Sequence, residues 1–418
     1  MNSRERIRSA LKHNQTEILP VDFGATDVTG IHASVVSRLR DYYGLSNDPP
    51  VKIVEPYQML GEIEDDLKQI LGADCVCITK SRNIFGYENK DWKEWRLFDG
   101  TPVLVPGKFN TSIEKDGSLF QFPEGDRSAP PSAKMPAGGF FFDIIIRQEM
   151  IEEDGLKAED NLEEFKIIDN GELDLLEDKA NKLYKETGYS IVGSFGGTSF
   201  GGVGILPAPS LKHPKGIRDI QEWYLSLITR QDHILSIFNS QCGIALSNLK
   251  KINDAIGNKI DVIFLTGADF GTQKGPMISQ DTYRKLFKPF HAKVNSWIHD
   301  NTAWKTFMHN CGGIRELIPD IIDAGFDILN PVQISASGMD PVELKKEFGK
   351  DIVFWGGGID TQKTLALGSP GEVKKETEKL IDIFINDGGF VFNTVHNIQA
   401  NVPIKNIAAM IEILQKYR

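Results

Sequence analysis

The 418 residues carry 47 basic against 58 acidic side chains, a formal net charge of −11, with 40% hydrophobic and 25% charged residues. This is an ordinary globular composition, and an acidic balance without a basic block gives no electrostatic footprint for nucleic acid or an anionic membrane. Four cysteines in so long a chain cannot be a disulfide framework, and no stretch approaches the roughly eighteen apolar residues of a membrane span, so a cytoplasmic protein is expected.

The chain opens with a charged amphipathic helix rather than an apolar signal core. Leu19-Pro20-Val21-Asp22-Phe23-Gly24 then reads as a strand end, as does Ser190 to Phe195 further on. Cys75 and Cys77 alternate on one strand face, too close for a disulfide and without Cys-x-x-Cys spacing, so core packing is their expected role. Residues 92–142 break the α/β rhythm. Trp95 to Thr101 and Ile113 to Leu119 are runs interrupted by Asp-Gly turns, and Ala129 to Ala133 reads as a linker, so an inserted β-meander is predicted there. Trp92, Trp95 and Phe98 fit its core. The glycines between Gly193 and Gly204 match neither Gly-x-Gly-x-x-Gly nor the lysine-bearing Walker pattern, which leaves close backbone approach as their expected role.

The second half alternates short apolar runs with helical stretches. Val262 to Leu265, Trp304 to Met308, Phe326 to Leu329, Ile352 to Trp355 and Phe390 to Val395 each end at Gly, Asn or His. Between them Ile314, Leu317, Ile318, Ile321 and Ile322 form one helical stripe ended near Gly325, and Asp340-Pro341 reads as an N-cap with proline at the first helical position. Parallel strands with covering helices follow. Seven or eight strands suit a barrel, although the same periodicity also suits an open doubly wound sheet.

The sharpest chemical signal is His309-Asn310-Cys311-Gly312-Gly313 at a strand's C-terminal end. Strand period puts His309 and Cys311 on one side, both are zinc-ligand types, and the glycines let the backbone turn away at once. A buried cysteine beside a hydrogen-bonded histidine is the alternative this spacing leaves open. His396 ends the last strand, and a parallel barrel would deliver it to the same mouth as His309 and Cys311, leaving one zinc position open. Asp22, Asp269 and Asp360 also follow strand ends and are candidate catalytic acids, Asp269 as a displaceable ligand or proton acceptor. His32, Asn330 and Gln333 are candidates for orienting a polar substrate, with turn and capping duties as the alternative.

Arg4-Glu5-Arg6 with Leu19 to Gly24, Asp327 to Gln333, Phe354-Trp355-Gly356-Gly357-Gly358-Ile359-Asp360 and Val395-His396-Asn397-Ile398-Gln399 resemble the uroporphyrinogen decarboxylase superfamily. The resemblance spans nearly the whole chain, with residues 92–142 poorly covered. It implies a single (β/α)8 TIM barrel over 1–418 with the β-meander inserted in the N-terminal half. It also implies one of two chemistries, porphyrinogen decarboxylation or cobamide-dependent methyl transfer. Decarboxylases carry an arginine-rich segment after the first strand, whereas Gly24 to His32 holds no arginine here. The methyltransferase branch binds zinc through His-x-Cys and a distant cysteine. His309 and Cys311 match the pair, and His396 stands where the cysteine would be. The resemblance therefore implies a zinc-dependent methyltransferase moving a methyl group between a small substrate or thiol and a corrinoid. No Asp-x-His-x-x-Gly corrinoid signature occurs in the chain, so the corrinoid would come on a separate protein. A metal-free decarboxylase using an acid such as Asp22, and a barrel that only binds ligands, are the alternatives.

Overall fold

The computed structural model describes residues 1–198 and 201–418. Seven parallel strands form one sheet in the order Phe390–Val391, Val353–Trp355, Ile328–Asn330, Lys305–His309, Val262–Gly267, Ser190–Ser194 and Cys75–Thr79. Residues 19–22 supply the eighth position and close the sheet on itself. On one side the Phe392 amide donates to the Pro20 carbonyl and the Asp22 amide to the Phe392 carbonyl, both at 2.8 Å; on the other the Asp74 amide donates to the Val21 carbonyl at 2.8 Å. The fold is a (β/α)8 barrel.

Side-chain alternation fills its lumen. Cys75, Val192, Val262, Phe307, Ile328, Val353, Trp355 and Val391 pack into one buried cluster with Ile7, Ala10 and Leu11 from the N-terminal Ser3–Ala10 helix. That helix plugs the floor of the barrel. With the lumen packed and the floor sealed, side chains meet solvent at the mouth formed by the strands' C-terminal ends. Asn2 starts the helix through a capping box with Glu5.

Local sequence signals mostly decide the elements around the barrel. Asp340 accepts from the Val342 and Glu343 amides at 2.9 and 3.0 Å and starts the Pro341–Phe348 helix, as its position before proline predicts. The Ile314 to Ile322 stripe is not one α-helix. Pro319 has no amide to donate, and Arg315–Leu317 forms a 3₁₀ turn before the α-helix Ile318–Asp323. Cys75 is buried and all four cysteines are free. The Gly193 to Gly204 stretch includes Ser199 and Phe200, which lie outside the described residues. At Gly201 (φ +73°) an added Cβ would stand 2.8 Å from the Phe287 ring, so close backbone approach explains that glycine.

The β-rich segment consists of two sheets. Lys93–Arg96 pairs with Pro102–Val105, and Thr111–Ile113, Leu119–Gln121, Ala133–Met135 and Asp143–Ile144 form a four-stranded meander. Gly100 and Gly117 take positive φ at the two Asp-Gly turns. The segment read as a linker runs directly into the Ala133–Met135 strand. Phe109 and Phe142 pack edge to face within the core of this region and Trp95 leans on Phe109, whereas Phe98 is exposed. Among the described residues no helix is long and apolar enough to cross a membrane.

Burial disfavours the charged form of several ionisable groups, which shapes the pH dependence of stability. Burial drives His32 down to about 4 and His291 to about 3; for His396, burial and the neighbouring His309 give about 3. Each lowered imidazole adds stability that is complete above about pH 6.5 and is lost as pH falls towards the folded value, because the unfolded ring binds a proton that the folded ring refuses. Asp22, raised to about 6 by burial, and Glu55, raised to about 8 by burial and then by Asp27, act oppositely: the fold keeps their protons, and stability declines as pH rises through those values. With His13 and His233 also lowered by burial and Asp27 and Glu164 also raised by it, five imidazoles outnumber four carboxyls in the acid range. The urea midpoint is therefore expected to fall between pH 6.5 and 5, and a midpoint that rises over that interval contradicts this account.

Candidate metal centre

The site begins with the central strand Lys305–His309. Phe307 belongs to the lumen cluster, and strand period places His309 on the same side one step nearer the mouth. Two residues on, Cys311 follows, and Gly312 then takes φ +89° against the Gly271 backbone. An added Cβ there would lie 2.3 Å from the Gly271 carbonyl carbon, so only glycine permits the turn that keeps Cys311 beside His309. Gly312→Ala is expected to lower stability by more than about 1 kcal/mol and to displace Cys311. A variant that melts like the parent would contradict that reading.

His309, Cys311 and His396 each offer one ligand atom, and these atoms all lie within 4.8 Å of one another. Cys311 Sγ is 3.3 Å from His309 Nε2, and the two imidazole rings stand 5.5 Å apart at 76°. His309 is buried; Cys311 and His396 are half-buried and line a cavity of about 290 Å³ together with Gly271, Thr272, Gln333 and Gln362. The residues predicted from separate strands thus converge at one mouth.

Electrostatics define what this cluster can do. Burial, and then the Asp269 carboxylate, push the Cys311 thiol far above the ordinary thiol range, so without a neighbouring cation it stays protonated. The low His396 value keeps that ring neutral, the protonation state that offers a lone pair. His309 Nδ1 lies 2.6 Å from Asn330 Oδ1, which leaves Nε2 facing Cys311. At His396 the arrangement is reversed: Nδ1 accepts the Asn397 amide proton at 2.8 Å, so Nε2 is the protonated nitrogen. One sulfur and two imidazoles form a donor set suited to zinc with a position left open. To donate a lone pair to an ion through either nitrogen, His396 must exchange its contact with Asn397.

Asp269 joins the cluster: its Oδ1 accepts the Cys311 amide at 2.9 Å and lies 3.8 Å from His309 Nε2. Gln333 lines the cavity, while its Oε1 accepts the Gly312 amide at 2.7 Å and so also braces the turn. The remaining candidates are engaged by partners within the fold. Asn330 is fully buried, with Oδ1 on His309 and Nδ2 on the Trp355 carbonyl, and does not line the cavity. His32 has both nitrogens occupied, by the Ser34 hydroxyl and the Phe140 carbonyl, and fastens the β-rich segment to the barrel. Asp22 is fully buried beneath the cluster, bonded to Trp355 Nε1 and the Ala25 amide. Asp360 orders its own loop by accepting the Gln362 and Lys363 amides.

Sequence reasoning missed Tyr224, whose hydroxyl donates to the Asp269 carbonyl at 2.5 Å, and Asn397, whose side chain donates to the Asp27 carbonyl and to Gln58 Oε1. Asn397 stood beside a predicted ligand, a usable signal; Tyr224 lies on the Ile220–Thr229 helix with no local cue.

Residues 231–417, which hold all three clustered donors, match the family model described as uroporphyrinogen decarboxylase (URO-D); this is narrower than the near-complete span the sequence motifs suggested. No curated protein sequence matches the chain. Among solved structures, a methyltransferase from Methanosarcina mazei is similar over 100% of this chain and 99% of that one, at 15% identity and TM-score 0.56. A GH113 beta-1,4-mannanase matches over 96% of this chain and 99% of its own, at 8% identity and TM-score 0.32. The first of these likenesses agrees with the closed barrel described above, and the family likeness to uroporphyrinogen decarboxylase (URO-D) rests on residues 231–417.

Proposed function

We propose that the protein is a zinc-dependent methyltransferase that moves a methyl group between a small substrate or thiol and a corrinoid carried by a separate protein. The observation that carries this reading is the convergence of His309, Cys311 and His396 within 4.8 Å at the barrel mouth. Zinc bound by these three would lower the pKa of a substrate thiol, or polarise the substrate atom bearing the methyl group, so that transfer to or from cobalt proceeds. The chain's own residues supply the rest. His309 and Cys311 face one donor region, Gly312 and Gln333 hold the turn between them, and Asp269 fixes the Cys311 backbone while standing near enough to take up a proton released from a thiol. The 290 Å³ cavity admits a small molecule from the mouth, where a corrinoid protein would dock.

The M. mazei structure, itself named a methyltransferase, is in keeping with this reading. Burial of Asp22 speaks against the decarboxylase alternative, because the acid it would rely on is sealed under Trp355. The direct test mixes zinc-loaded protein, methylcobalamin and a small thiol and follows the methyl-cobalt absorption band. Thiol-dependent loss of that band is expected. Metal-free protein that consumes uroporphyrinogen and leaves methylcobalamin untouched would overturn the proposal.

A further inference from the structure

Below the cluster a line of buried polar groups ends on His309. The Asp22 carboxylate accepts the Ala25 amide through Oδ1 at 3.0 Å and Trp355 Nε1–H through Oδ2 at 2.9 Å. The Trp355 carbonyl accepts from Asn330 Nδ2 at 2.7 Å, and Asn330 Oδ1 faces His309 Nδ1 at 2.6 Å. Asp22, Asn330 and Trp355 are all fully buried. The amide cannot be turned over, because its oxygen would then face the Trp355 carbonyl, acceptor against acceptor. With Oδ1 so placed, His309 Nδ1 must be the donor. Its ring proton sits there, and the Nε2 lone pair points at the Cys311 sulfur.

We propose that Asn330 is a positioning residue that locks His309 in the Nδ1–H tautomer and so presents Nε2 as a ready ligand, with Trp355 and Asp22 clamping the amide from beneath. A partner on the far ring nitrogen sets both orientation and basicity of a metal-binding imidazole. The device is absent at His396, whose Nδ1 accepts from the Asn397 amide instead. His309 is therefore the pre-set donor of the pair, and His396 joins by rearrangement. This inference rests on the reading above only for the identity of the ion; the tautomer belongs to the metal-free chain.

Nitrogen-15 NMR of metal-free protein with labelled histidine tests it without any substitution: His309 is expected to carry its proton on Nδ1, and a proton on Nε2 overturns the proposal. Asn330→Ala should release the tautomer and weaken zinc binding by about 10–100-fold. Should Asn330→Ala fail to fold, Trp355→Phe, which removes the indole N–H donated to Asp22 together with some packing against Phe307, is expected to loosen the same tautomer to a smaller degree. Unchanged tautomer and zinc affinity in a folded Asn330→Ala protein would overturn the role. An Nδ1 proton in a protein that binds no zinc supports the tautomer lock and defeats the functional reading instead.

Discussion

Cys311→Ala is expected to weaken zinc binding by at least about 100-fold, above the 10–100-fold that loss of a second-shell partner costs, and to abolish thiol-dependent demethylation of methylcobalamin. The thiol is the one sulfur in the cluster and lies 3.3 Å from His309 Nε2. Its loss removes the donor that neutralises charge on the cation and leaves two neutral imidazoles, a set with far less hold on zinc. The fold should survive, because the side chain is half-buried at the mouth and not part of the lumen packing. Elemental analysis beside a thermal melt separates the two effects. A folded variant that keeps stoichiometric zinc would remove Cys311 from the site.

The largest effect on stability is expected far from the mouth, at Asp74. This carboxylate is fully buried where residues 19–22 close the barrel. It accepts the Val21 amide at 3.0 Å and the Ser3 hydroxyl at 2.7 Å, and it pairs with Arg6 and Arg418. It thus ties the floor helix, the first strand position and the chain's last residue to the Cys75–Thr79 strand. Asp74→Ala would leave the buried Arg6 guanidinium without its counter-charge, a loss of about 3–5 kcal/mol. The exposed pair Lys416–Glu378 is the control: Lys416→Ala should cost less than about 1 kcal/mol. Equal losses in urea unfolding would show that the closure does not depend on the buried carboxylate.

The contrast between the two regions explains what the sequence made legible. Short continuous apolar runs ended by Gly, Asn or His mark the barrel strands in the second half, because each strand must bury one face in the lumen and the other under helices. Residues 19–22 make their hydrogen bonds to Phe392 and Asp74, partners distant in sequence, so their role as the eighth position is not written locally. At the site, the spacing of His309 and Cys311 before two glycines marks the pair, but it suits a buried cysteine beside a hydrogen-bonded histidine as well, and the family resemblance is what favours zinc. Polar residues at strand ends carry no such mark, since Asn330, His32 and Asp22 look from sequence as though they face a substrate. Each is instead consumed by a partner distant in sequence, respectively His309, Phe140 and Trp355. Which nitrogen of His309 is free depends on such a contact and is invisible without it.

The central claim is that one thiolate and two imidazoles of this chain close around a single zinc ion. Zinc K-edge X-ray absorption of the loaded protein measures this most directly. The account predicts one sulfur at about 2.3 Å with nitrogen and oxygen neighbours near about 2.0 Å, the sulfur shell disappearing in Cys311→Ala and one imidazole contribution in His396→Ala. A spectrum without sulfur, or one that neither substitution changes, would contradict it.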